Sequence, residues 1–211
     1  MMRALIIFAK LPRAGEVKTR LGRALGMKEA AAIYDSFARH AFSLGNQLLS
    51  DDLKVYLFYD PKAAEQEMRA WVGHSFEFAR QAGDTLGERM QAAFVRTFED
   101  GSVSTVIIGT DIPDLTVDAI VRSFDLLSLH DIVIGPSSDG GYYLLGMNAP
   151  LKYLFKDVVW SSPDVLRKTI DNVTALGLSY ILLNELDDID TEEDYTRFSQ
   201  QSDGVPSSRR F

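Results

Sequence analysis

Residues 4–20 read ALIIFAKLPRAGEVKTR, and the change of character at Ala9–Lys10 decides the fold. ALIIFA (4–9) is an unbroken apolar run, the pattern of a strand buried on both faces rather than one alternating against solvent. It stops at a loop carrying Pro12 and Gly15. Residues 28–49 then place Ala31, Tyr34, Phe37, Ala38, Phe42, Leu44 and Leu48 mostly at three- and four-residue steps, which predicts an amphipathic helix. LKVYLFY (53–59) predicts the next strand, with Pro61 where a helix would begin, and FEFAR (76–80) predicts a weaker one. A helix over about 85–99 gathers Leu86, Met90, Ala93, Phe94 and Phe98 on one stripe.

The alternation continues. TVIIGTD (105–111), DIVIGP (131–136), GYYLLGM (141–147) and LSYILL (178–183) predict further strands. Helices are expected at about 116–129 and from Ser161 or Ser162 to about 176. A last helix begins near Thr191, with Glu192, Glu193 and Asp194 where its dipole favours acids. Strands alternating with helices argue for an open, mainly parallel α/β sheet. In such sheets ligands lie beyond the carboxyl ends of strands, so the loops after residues 9, 59, 110 and 136 are where chemistry is expected. SQQSDGVPSSRRF (199–211) is polar and contains Pro, Gly and Ser, which predicts a flexible C-terminal tail.

A chain of 211 residues suits one domain with a full core, and 46% hydrophobic with 25% charged residues is ordinary for a soluble protein. The absence of cysteine excludes disulfides, thiol nucleophiles and thiolate-bound zinc or iron–sulfur clusters, and suits a reducing compartment. Three separated histidines (His40, His74, His130) offer no histidine-based zinc motif. No apolar run is long enough to span a bilayer, and Lys10 and Arg13 follow the first run without a small-residue cleavage site. The expectation is a cytoplasmic protein without a membrane partner.

A net charge of −8 argues against nucleic acid as the partner. Yet residues 1–23 hold six basic groups (Arg3, Lys10, Arg13, Lys18, Arg20, Arg23) against Glu16 alone. A positive segment on a negative chain points either to a bound phosphate or to a solvated basic loop. Its place after the first strand favours phosphate: Lys10, Arg13, Lys18 and Arg20, with Gly15 among them, can wrap a diphosphate with side-chain charge and backbone N–H groups. The spacing matches neither a Walker A loop nor G-x-G-x-x-G.

Four other segments carry candidate chemistry. Asp111, in GTDIPD (109–114), is a carboxylate at the end of a buried strand, costly to desolvate without a cation, so a Mg²⁺ or Mn²⁺ ligand is expected there. Asp114 is either a second ligand or the cap of the helix near Thr116. The acids of DDIDTEED (187–194) either supply the other metal carboxylate or cap the final helix, through Asp190 or Thr191 with Glu193 completing a capping box. Asp139, in SSDGGYY (137–143), is either a base for an acceptor hydroxyl or part of a hairpin turn. Arg89, in GDTLGERM (83–90), either meets an anion or belongs to ordinary helix initiation, and Trp160 is open between core and loop packing.

Taken in order, FAKLPRAGEVKTRL, GDTLGERMQAAF, GTDIPDLT, GPSSDGGYYLLGM, VVWSSPDVL and DIDTEEDY resemble the small bacterial transferases known as radical-SAM/selenodomain-associated transferase 1, some called arsenosugar biosynthesis glycosyltransferases. These belong to the nucleotide-diphospho-sugar transferase (GT-A-like) superfamily, and the resemblance spans residues 1–198. It implies a single-domain α/β/α sandwich with a mainly parallel central sheet, binding a nucleotide diphosphate at the first strand's loop. Asp111 matches the superfamily's metal-binding acid, with the second Asp displaced to Asp114, and Asp190 matches the other metal position. Lys10, Arg13, Lys18 and Arg20 match the phosphate-contacting loop, and Asp139 lies near the acceptor.

Related nucleotidyltransferases of the molybdenum-cofactor type carry a glycine pair after the first strand, where this chain has Ala9-Lys10. That difference tilts the expectation towards glycosyl transfer from a nucleotide-sugar donor to a small-molecule acceptor. Nucleotidyl transfer and a non-catalytic nucleotide-binding module are the alternatives. The base, sugar, acceptor and oligomeric state are not legible.

Overall fold

The computed structural model describes residues 1–203, folded as one α/β domain about a seven-stranded sheet of order β3-β2-β1-β4-β6-β5-β7. Its strands are β1 (Arg3–Ala9), β2 (Leu53–Tyr59), β3 (Glu77–Arg80), β4 (Ser104–Ile108), β5 (Ile132–Pro136), β6 (Tyr142–Met147) and β7 (Tyr180–Leu182). β1 is central and pairs in parallel with β2 and β4. Period-two projection gives each strand two apolar faces. Leu5, Ile7 and Ala9 of β1 join one core layer, while Ala4 and Ile6 join the other.

The helices are α1 (Thr19–Leu25), α2 (Met27–Leu48), α3 (Glu65–Val72), α4 (Leu86–Glu99), α5 (Val117–Leu126), α6 (Val165–Ala175) and α7 (Glu192–Asp203). Tyr34, Ala38 and Phe42 of α2, Met68 of α3 and Ile120 and Phe124 of α5 fill one layer. Met90, Ala93 and Phe94 of α4 and Val173 of α6 fill the other. This is the α/β/α sandwich the sequence led us to expect. A smaller apolar cluster of Leu21, Ala30, Ile33, Phe37 and Ile189 joins α1 and α2 to the segment leading into α7.

Several details differ from expectation. α1 occupies a stretch read only as loop; it is short, begins without a side-chain cap, and ends at Gly26. Pro61 does not open a helix, which starts four residues later at Glu65, and α6 starts at Val165 rather than at Ser161 or Ser162. β6 runs antiparallel to both β4 and β5, because the short turn between β5 and β6 leaves no length for a crossover. The expected tail boundary falls inside α7, which continues to Asp203; residues 204–211 lie outside the described residues. Among the described residues no helix is long and apolar enough to cross a membrane.

Candidate functional site

The loop after β1 folds tightly: Arg13 N–H donates to Leu11 O at 2.7 Å and Glu16 N–H to Arg13 O at 3.0 Å, with Gly15 at φ +82°. Lys18 ends it, also left-handed at φ 45°, ψ 44°. A residue with a Cβ adopts that conformation at a cost of about 1 kcal/mol or more. The Lys18 side chain is only 2% exposed, and its Nζ stands 2.8 Å from Asp111 Oδ1, 2.8 Å from Asp190 Oδ1 and 3.4 Å from Asp188 Oδ1. Those carboxylates are 37%, 44% and 27% exposed, so the cluster is walled on the lysine side and open on the acid side.

Local structure explains each placement. Asp111 follows β4, and its carbonyl accepts the Ile189 N–H at 3.3 Å, tying the two acid-bearing segments together. Ile189 is buried against Leu21, Ala30, Ile33 and Phe37, while its neighbours Asp188 and Asp190 both reach Lys18. One apolar anchor thus presents two acids. Thr191, not Asp190, caps α7: its Oγ1 accepts the Asp194 N–H at 3.3 Å. Asp194 Oδ2 accepts from the Asp190 N–H, the Thr191 N–H and the Thr191 hydroxyl at 3.2, 2.9 and 2.7 Å. Asp194 thereby completes the cap in place of the expected Glu193, and the Asp190 carboxylate is left to Lys18.

Three carboxylates against one ammonium leave the cluster with excess negative charge. Burial pushes Asp188 up to about 7, with Lys18 opposing and the charges of Asp111, Asp190 and Asp139 adding to the rise. Burial alone would pull Lys18 down, but Asp111, Asp188 and Asp190 hold its ammonium well above the ordinary lysine value. Asp111 Oδ1 is buried, with the Lys18 ammonium 2.8 Å away and poorly aligned on it. The oxygens of three converging carboxylates have the donor chemistry of a Mg²⁺ or Mn²⁺ site. Among the described residues no group of three or more His, Cys, Asp or Glu side chains is arranged to hold a metal ion as it stands.

The remaining expected residues surround this centre to differing degrees. Lys10 is exposed, and its backbone N–H donates to Tyr34 Oη at 2.9 Å. Arg13 reaches across to α3, donating to Glu67 Oε1 at 2.7 Å, with Glu16 4.0 Å away. Arg20 is exposed at the start of α1. Arg89 sits beyond the carboxyl ends of β2 and β3, donating to Gly83 O at 3.0 Å and to Gln81 Oε1 at 3.4 Å, with Asp60 3.9 Å away.

Asp139 occupies the turn between β5 and β6, where its Oδ1 accepts from Ser137 Oγ at 2.6 Å and the Gly141 N–H at 2.9 Å. Gly140 in that turn has φ +87°, and a Cβ there would fall 2.1 Å from Pro163 O. Asp114 is exposed; the cap of α5 is Thr116, whose Oγ1 accepts the Ala119 N–H at 3.2 Å. Trp160 packs on the core beside Phe155 and lies over Gly87.

Two residues have a part in the site that the sequence does not single out. Asp188 shares Lys18 with Asp190, and the acid–Ile–acid alternation was the available signal. Tyr34 looks like a core aromatic by spacing, yet its buried hydroxyl also accepts from Thr110 Oγ1 at 3.1 Å, bridging the Lys10 and Asp111 loops. Burial first, and then the Asp111 charge, push that phenol up to about 12.

The mainly parallel sheet, with a basic loop after β1 and acids after β4, has the fold of the nucleotide-diphospho-sugar transferase, GT-A-like, superfamily. A family profile described as "Uncharacterized protein conserved in bacteria (DUF2064)" matches residues 44–162, and the chain belongs to that family. The crystal structure of a candidate nucleotide-diphospho-sugar transferase from Desulfovibrio desulfuricans G20 is similar at 31% identity and TM-score 0.91, over 99% of this chain and 91% of that one.

Two more distant structures share the fold alone. CMP:2-keto-3-deoxy-manno-octonic acid synthetase complexed with CTP matches at 9% identity and TM-score 0.60, over 97% and 100% of the two chains. Rv0371c from Mycobacterium tuberculosis H37Rv, in complex with manganese, matches at 13% and 0.56, over 95% and 99%. No curated protein matches the sequence.

Proposed function

We propose that this protein is a metal-dependent glycosyltransferase that moves a sugar from a nucleotide-diphosphate donor to a small acceptor, its working domain being residues 1–198. The meeting of Asp111, Asp188 and Asp190 with the end of the basic loop carries the reading. A nucleoside diphosphate is an anionic leaving group, and cations placed where its charge grows lower the barrier to its departure. Asp111 and Asp190, with Asp188 beside them, would hold Mg²⁺ or Mn²⁺, which neutralises charge on a diphosphate when bound.

Lys10, Arg13, Arg20 and Arg89 surround the same end of the sheet and bind and orient the phosphates from the protein side. Asp139, with one oxygen fixed by Ser137 and Gly141, takes the proton of the acceptor hydroxyl. The acceptor oxygen bonds to the anomeric carbon as the bond from that carbon to the diphosphate breaks. The 31% identical relative, described as a candidate nucleotide-diphospho-sugar transferase, supports the donor class. The cysteine-free sequence suits work in a reducing cytoplasm.

The test is product analysis. The protein is incubated with Mn²⁺, a panel of nucleotide sugars and mixed small-molecule acceptors, and nucleoside diphosphate and pyrophosphate are both quantified. Acceptor-dependent release of nucleoside diphosphate is expected. Release of pyrophosphate from nucleoside triphosphates instead would assign nucleotidyl transfer.

A further inference from the structure

Lys18 stands apart from the other cations of its loop. Lys10 and Arg20 face solvent, whereas the Lys18 side chain is 2% exposed and its ammonium lies among three carboxylates at 2.8, 2.8 and 3.4 Å. An ammonium in that position is not poised on a ligand; it fills the space between Asp111, Asp188 and Asp190. A Mg²⁺ ion binds carboxylate oxygen at about 2.0–2.1 Å, shorter than any of these contacts, so an ion and Nζ cannot share the centre. The Asp111 Oδ1 atom lies 2.8 Å from Nζ but off the direction of good alignment, so at that oxygen the lysine is an imperfect partner.

We propose that Lys18 is a built-in placeholder for the divalent cation. It neutralises part of the acid cluster in the ligand-free protein and yields the position when the ion binds. The inference rests on the metal-dependent reading above and adds to it an exchange of one cation for another.

The physical case is one of charge and reach. Without a cation the three acids would repel one another in a partly buried cluster. One ammonium leaves a formal charge of −2, and a divalent ion in its place, with Lys18 swung out, would leave −1. The lysine stem is flexible, and its ammonium is a compact charge that can be re-aimed. Lys18 is also the last residue before α1, so its side chain can move without unwinding a helix. Released from the cluster, the ammonium would lie at the end of the basic loop, free to meet a phosphate oxygen. Linkage then makes the lysine a competitor of the metal, and removing a competitor tightens binding.

The experiment uses the full chain and Mn²⁺ alone, with no nucleotide. Mn²⁺ affinity is measured by electron paramagnetic resonance titration for the wild type and for Lys18→Met, which keeps the stem and removes the charge. In parallel, lysine acylation of the wild type is followed by mass spectrometry with and without Mn²⁺. We expect Lys18→Met to bind Mn²⁺ about fivefold tighter or more. We also expect Lys18 of the wild type to pass from protected to reactive as Mn²⁺ is added, with Lys10 and Lys28 unchanged.

Mn²⁺ that binds while Lys18 stays protected, or binds Lys18→Met no more tightly, overturns the placeholder and leaves the metal-dependent reading standing. Mn²⁺ that binds neither protein overturns both. Should Lys18→Met fail to fold, the wild-type acylation decides alone.

Discussion

Lys18 and Asp190 are 172 positions apart in the chain, and Lys18 donates to Asp190 at 2.8 Å from a buried ammonium. The contact joins the loop after the first strand to the entry of the last helix. The cluster at Lys18 is thus a long-range tie in the fold as well as a candidate reaction centre. Breaking it by removing one partner leaves charge uncompensated at the same place where a diphosphate would bind.

Asp111→Asn removes one negative charge from the acid cluster with little change of shape. Donor turnover is expected to fall about 100-fold or more, with thermal unfolding still cooperative. Nucleoside diphosphate release measured beside a thermal melt checks this, and undiminished release would remove Asp111 from the metal site.

Tyr34→Phe deletes a buried hydroxyl that accepts from the Lys10 N–H and from Thr110 Oγ1. Both donors lose their acceptor while the ring still packs. The expected cost is about 1–3 kcal/mol, measured by urea unfolding. Because the lost bridge joins the basic loop to the Asp111 loop, a raised KM for the donor is also expected.

The turn bearing Asp139 depends on Gly140. A methyl group there meets Pro163 O at 2.1 Å, and the backbone is left-handed at φ +87°. Gly140→Ala is therefore expected to cost about 2–3 kcal/mol, and to loosen the hydrogen bonds that fix Asp139. A melting temperature equal to that of the wild type would show that the turn and Pro163 can separate freely.

Asp131 and Ser179 clasp β5 to β7 at its amino end. Asp131 Oδ2 accepts from the Ser179 hydroxyl at 2.7 Å and its N–H at 2.8 Å. The hydroxyl first, and then the N–H, hold this carboxyl below its ordinary value. A carboxyl with a folded-state pKa below its unfolded one stabilises above the unfolded pKa of about 3.9. That contribution fades as pH falls through the folded value. Wild type is thus expected to melt about 1–2 °C above Asp131→Ala near neutral pH, an exposed interaction of modest worth. The gap should close as pH falls through the folded value, which melts across an acid pH series can follow.

The strands were legible because their cause is local: ALIIFA and TVIIG are apolar or β-branched on both faces, and only a doubly covered sheet accommodates that. α1 was not, since seven residues with Gly22 inside, Gly26 just after and no capping side chain give little periodic signal. The direction of β6 could have been deduced from the few residues of SSDGG, whose shortness forces a reversal. Within the site, strand-end position points to Asp111 and family resemblance to Asp190, and both carboxylates meet at Lys18.

The inward course of Lys18 was not legible. Its loop reads as a uniform run of cations, and what distinguishes one of them is a set of acids supplied from beyond residue 110. The same holds for the choice of cap at α7. Thr191 and Asp194 satisfy the backbone there, and that contest is settled by geometry that Asp190, Glu193 and Asp194 do not advertise in sequence.

The central claim is that Asp111 and Asp190 grip a diphosphate through a shared cation. Thermal-shift titration of nucleoside diphosphates, with and without Mn²⁺, tests it on the wild type and on Asp190→Asn, since a ligand that binds the folded state raises its melting temperature. The account predicts a diphosphate-induced shift that requires Mn²⁺ in the wild type and is lost in the variant. A shift of equal size without Mn²⁺, or one that survives in Asp190→Asn, would contradict it.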